Sequence, residues 1–79
     1  MKLLVRNLAR TTTEAQILSL FSEYGNVTEC TLVLDKETGL SKGFAFVEIP
    51  DDKAATQALK ALHHANIDDS KIRVKHAQN

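Results

Sequence analysis

Residues 42–49 read Lys-Gly-Phe-Ala-Phe-Val-Glu-Ile, the stretch of the chain richest in chemical meaning. Side chains alternate faces along a strand, so Lys42, Phe44, Phe46 and Glu48 share one side while Gly43, Ala45, Val47 and Ile49 share the other. Small and aliphatic residues suit a packed interior. Two rings flanked by a Lys and a Glu do not; they make a platform on which flat ligands stack. Further cations fall on the same expected face: Lys2 and Arg6 on a first strand, Arg73 and Lys75 on a last one, with Glu48 the one acid placed there. Cations interleaved with exposed rings are the electrostatic footprint of a nucleic-acid surface.

The other reactive groups carry less. Cys30 is the only cysteine, so no internal disulfide is available; it is read as an inward, inert thiol in a reducing compartment. His63, His64 and His76 have no partner ligands at zinc-site spacing, and neither a metal nor a cofactor is expected. His63 and His64 fall at a helix C-terminus, where a cation is favoured. His76, at the end of the last strand, is placed within reach of a bound nucleotide. Catalysis finds no support. The chain lacks a nucleophile elbow and paired carboxylates on the open face, and its loop Ala9-Arg10-Thr11-Thr12 offers one Arg but no glycine to cradle a phosphate. A binding protein, not an enzyme, is expected.

These side chains need elements to position them. Residues 2–8 read as a first strand. Thr13 and Gln16 form a capping box that opens a helix. Ile17, Leu20, Phe21 and Tyr24 recur at helical spacing as one apolar stripe, and Gly25 is read as the helix's C-terminal cap. Residues 27–34 are rich in β-branched and aliphatic types, giving a second strand, with Val33 beside Leu4 on the ring-bearing face. The polar loop 35–41 turns at Gly39. Residues 43–49 form the third strand, and Pro50 and Asp51 stop it and cap a second helix. Ala54, Ala55, Ala58, Leu59 and Leu62 are that helix's buried stripe. Residues 63–70 are a loop and 71–76 the last strand, with Ile72 and Val74 inward. Asn7 is read as a turn residue.

Strand-helix-strand occurs twice in 79 residues. That order implies an α+β sandwich of one domain, 1–79, with two helices on one face of a four-stranded sheet. Two helices cover one sheet face only, which leaves the Phe44/Phe46 side open unless a second copy or a further segment covers it. The formal net charge of zero excludes a protein that coats nucleic acid by bulk charge. No apolar run is long enough to span a membrane, and no membrane association is expected. A monomer is expected.

Residues 42–49 resemble the RNP1 signature of the RNA recognition motif: a basic residue, Gly, an aromatic, Gly or Ala, Phe, Val, any residue, an aromatic. Only Ile49 departs from it. Leu3-Leu4-Val5-Arg6-Asn7-Leu8 resembles the family's RNP2, except that Leu4 stands where a stacking Tyr or Phe is usual. The loop Asp35–Gly43 is also similar to that of family members. The resemblance implies a ferredoxin-like βαββαβ fold with strands in spatial order 4-1-3-2. It implies single-stranded RNA laid across the sheet, bases stacked on the RNP rings and phosphates held by the cations. Single-stranded DNA on the same surface, or protein binding, is the alternative. Peptide-capturing members carry an Arg-x-Phe motif before the last strand, which the loop Ala65–Ser70 lacks. The short flanks on either side of the two motifs resemble stand-alone bacterial members. A cytoplasmic location is expected, or a nuclear one if the chain is part of a eukaryotic protein.

Overall fold

The structure, a computed structural model, describes residues 1–77; Gln78 and Asn79, included in the expected domain, lie outside the described residues. β1 (Lys2–Arg6), α1 (Glu14–Ser22), β2 (Glu29–Leu34), β3 (Ser41–Glu48), α2 (Asp52–Leu62), β4 (Asn66–Ile67), β5 (Ser70–Lys71) and β6 (Arg73–His76) follow one another along the chain. The sheet is four-stranded in the order β2-β3-β1-β6 and antiparallel throughout. This is the expected α+β arrangement, with the last strand of the sequence reading appearing as β6.

Sequence accounts for most of the boundaries. Thr13 caps α1, its hydroxyl accepting from the Gln16 amide at 3.2 Å while the Gln16 side chain accepts from the Thr13 amide at 2.8 Å. Asp51 caps α2 by accepting from the Lys53 amide at 3.0 Å. The Asp35 carboxylate accepts from the Glu37 and Thr38 amides and Gly39 turns the chain at φ 75°, which closes the β2–β3 loop. Those two amides hold the Asp35 carboxyl below the usual carboxylate range.

The core is one cluster. Leu3 and Val5 of β1, Ala45 and Val47 of β3, and Ile72 and Val74 near the last strand meet Ile17 and Phe21 of α1 and Ala55, Ala58 and Leu62 of α2. Leu3 and Val5 of β1 and Ala45 and Val47 of β3 are buried and alternate with less buried neighbours, so both helices cover the same sheet face. Full burial of each large aliphatic contributes about 1.5–3 kcal/mol.

Two local readings are corrected. Gly25 is not a left-handed helix cap: α1 ends at Ser22 with Glu23 as its cap, and Gly25 has no positive φ. Its smallness has a packing cause, since a Cβ there would lie 2.6 Å from the Cβ of Ala54 on α2. Residues 63–70 are not all loop. Ile67-Asp68-Asp69-Ser70 is a tight hairpin in which Asp68 and Asp69 both have positive φ, 50° and 66°, the pattern of a two-residue type I′ turn. The Asp68 carboxylate is held by the Thr12 hydroxyl at 2.7 Å and the Gln16 side-chain Nε2 at 3.3 Å, beside the N-terminus of α1.

Candidate nucleic-acid interface

The open sheet face begins at Gly43. Its φ of 88° lies in the left-handed region, and a Cβ would stand 3.3 Å from the Leu8 carbonyl oxygen. The positive φ therefore favours glycine here, and the nearby carbonyl leaves little slack for a side chain. Its carbonyl accepts from the Leu8 amide at 2.9 Å, which anchors the start of β3 to the end of β1. Asn7, at φ 60°, ends β1, and its side-chain amide donates to the Lys71 carbonyl at 2.8 Å. These two residues fix the register on which the face depends.

That register sets the surface in rows. Thr31, Phe46, Leu4 and Lys75 lie side by side across the four strands. On one side of this row stand Phe44 of β3 and the directly paired Arg6 and Arg73. On the other stand Glu29, Glu48 and Lys2, each paired with its neighbour. Phe44, Phe46, Leu4 and Val33 are half-buried on a side that no helix covers.

The two rings are perpendicular, with centroids 6.2 Å apart and planes at 87°. Such an edge-to-face pair contributes about 0.5–1.5 kcal/mol and holds each ring in place. The rings thus present two differently tilted surfaces. The Lys2 ammonium lies 5.5 Å from the Phe46 centroid. This cation–π contact is worth about 0.5–1 kcal/mol at an exposed site, less than the roughly 1–3 kcal/mol of a stacked base.

The cations gather at one end. Arg6, Asn7, Arg10 and Lys42 line an open pocket beside Phe44, and Arg6, Asn7 and Arg73 line a second. Neither pocket has an acidic lining residue. Arg6 and Arg73 face each other across the β1–β6 ladder, a like-charge pairing that an anion would relieve.

Of the residues singled out in the sequence, Lys2, Leu4, Arg6, Phe44, Phe46, Glu48, Arg73 and Lys75 fall on this face, and Lys42 stands at its cationic end. His76 does not. It pairs with the buried Leu3, so it shares the parity of Val74 and points to the helix side at the sheet's edge. Glu48 is not the only acid: Glu29 is opposite it. Thr31 and Arg10 were also missed. The parity of Val33 reveals Thr31, and Arg10 is betrayed by its position just after the first strand, at the same sheet end as Lys42.

The remaining candidates are structural. The Cys30 thiol donates weakly to the Glu14 carbonyl at 3.8 Å; burial and then the Glu14 charge push its pKa up, away from thiolate chemistry. His63 Nδ1 accepts from the Val74 amide at 3.0 Å, and the His63 ring stacks on His64 at 3.8 Å. His64 is pulled below the usual imidazole range by His63 first, then by desolvation and by Lys71 and Arg73.

The model of the RNA recognition motif matches residues 3–73. The chain belongs to that family. A glycine-rich RNA-binding protein, blt801, of Hordeum vulgare is 36% identical over 75 residues, covering 95% of this chain and 47% of the relative. RNA-binding protein 4B of Homo sapiens is 38% identical over 78 residues, 99% of this chain and 20% of the relative. The chain thus spans half or less of these relatives. The crystal structure of RNA binding protein PG1 superposes with a TM-score of 0.96 at 35% identity, covering 100% of this chain and 95% of that one. The Rna15 RRM with bound RNA (GU) superposes at 0.89 with 28% identity, over 99% of this chain and 83% of that one. Against the motif's usual pattern, this member keeps both RNP1 rings and has an aliphatic residue, Leu4, at the RNP2 stacking position. Among its described residues no helix is long and apolar enough to cross a membrane.

Proposed function

We propose that this chain binds single-stranded RNA across the open sheet face, as a binding domain and not a catalyst. Bases stack on Phe44 and Phe46 and touch Leu4 and Thr31; Arg6, Lys42, Arg73 and Lys75 hold the phosphates, and Lys2 shifts from the Phe46 ring toward the backbone. The observation that carries the reading is the pair of half-buried rings, uncovered by either helix and flanked by cations. The family, the names of the RNA-binding relatives and the solved RNA complex of a neighbour support it. Stacking and phosphate contact alone serve single-stranded DNA as well; contacts to the 2′-hydroxyl separate the two.

Replacing either ring tests this. Phe44→Ala and Phe46→Ala should each weaken binding of a short mixed-sequence RNA by about 1–3 kcal/mol, while thermal unfolding still shows a cooperative fold. Both variants binding as well as the parent would remove the stacking role. Unfolding of both would assign the rings to a core.

A further inference from the structure

The two ends of the face differ in charge. The Arg6/Arg73 end is made for phosphate. The other end carries Glu29 and Glu48 directly opposite each other across the β2–β3 ladder. Like charges in that position destabilise a sheet. Lys2, the cross-strand neighbour that could neutralise Glu48, lies over the Phe46 ring and forms no ion pair with it. Oε2 of Glu48 is covered and has no hydrogen-bond partner. That one oxygen has lost water without gaining a donor, a cost that persists until a donor reaches it. Local rules broken in this way are expected where a ligand completes the site.

A phosphate cannot be that ligand beside two carboxylates. A base can, because Glu48 is two residues from Phe46 on the same face and a base stacked on that ring brings its edge within reach. The bases differ in what that edge offers. Guanine alone presents two adjacent donors, N1–H and N2–H, that match the two oxygens of a carboxylate once the Glu48 side chain turns its covered Oε2 toward the base. Uracil has one N–H flanked by acceptors. Adenine and cytosine each place one amino group beside a ring acceptor that a carboxylate repels. We infer that Glu48, reinforced by Glu29, selects guanine as the base stacked on Phe46. The inference rests on the RNA-binding reading above.

The test uses five-residue uridine RNAs carrying guanosine, inosine, adenosine or cytidine at the central position, with the all-uridine oligomer as reference, in lithium buffer to prevent guanine self-association. Fluorescence anisotropy should show the guanosine oligomer bound about tenfold tighter than the uridine one, the discrimination a bidentate contact supplies. Inosine, which keeps N1–H and lacks the N2 amino group, should fall between them. Glu48→Ala should abolish the guanosine preference, bringing the guanosine and uridine oligomers to equal affinity. A preference for adenosine or cytidine, equal binding of all the oligomers by the parent, or a guanosine preference that survives Glu48→Ala would each overturn the inference while leaving RNA binding intact. Failure to bind any of them would overturn both. The inosine comparison needs no variant, so a misfolded Glu48→Ala protein would not remove the test.

Discussion

At the scale of single residues, Leu4 is where this chain departs most from its family. It pairs with Phe46 on one side and Lys75 on the other, half-buried in the middle of the open face. A base can touch Leu, but it loses the ring face that an aromatic offers. Leu4→Tyr restores that ring at a position with room above it, so unfolding in denaturant should change little. RNA affinity measured by anisotropy should rise by about 1 kcal/mol or more. Unchanged affinity would mean that no base reaches β1. Residue types and their parity made this platform legible in the sequence: Lys42, Phe44, Phe46 and Glu48 needed only the period of a strand. What parity alone missed was composition on the neighbouring strand. Glu29 and Thr31 share the parity of Val33, but their places beside Glu48 and Phe46 follow only from the β2–β3 register, which is interrupted between Leu32 and Leu34.

At the scale of elements, the sequence showed the two helices and the main strands because caps and periodicity agree: Thr13 with Gln16, and Asp51 ahead of the alanine-rich stripe. The errors lie where a backbone conformation has no strong sequence signal. Asp68-Asp69 forms a type I′ turn without the glycine that usually announces one, so the β4–β5 hairpin went unseen. His76 follows the alternation of the buried Ile72 and Val74, which puts it on the helix side. Gly25 was assigned a conformational role when its role is contact. This makes a stability prediction. Gly25→Ala would force its Cβ into Ala54, 2.6 Å away, with Ile49 Cγ2 at 3.4 Å, so the loop after α1 must move off α2. Overpacking of this kind costs about 1–3 kcal/mol. Urea unfolding should show that loss, and the loss should shrink when Gly25→Ala is made in an Ala54→Gly background. An undiminished loss in the double variant would place the strain elsewhere.

At the scale of the whole molecule, zero net charge conceals a separation. Residues 11–35 contain four acids and no Lys or Arg, and they supply α1 and β2. The cations at the opposite end of β1, at the start of β3 and on β6 gather around Phe44 and Arg6. Local charge, not the total, attracts a polyanion. The strand order β2-β3-β1-β6 sets the separation, with acidic β2 at one edge and basic β6 at the other. The central claim is that RNA lies across the uncovered sheet face, and a titration of the ¹⁵N-labelled protein with short mixed-sequence RNA tests it most directly. Saturable amide shifts should concentrate at Lys2, Leu4, Arg6, Thr31, Phe44, Phe46, Arg73 and Lys75, with the outward positions of α1 and α2 nearly unmoved. Shifts centred on the helices, or none that saturate, would contradict the account.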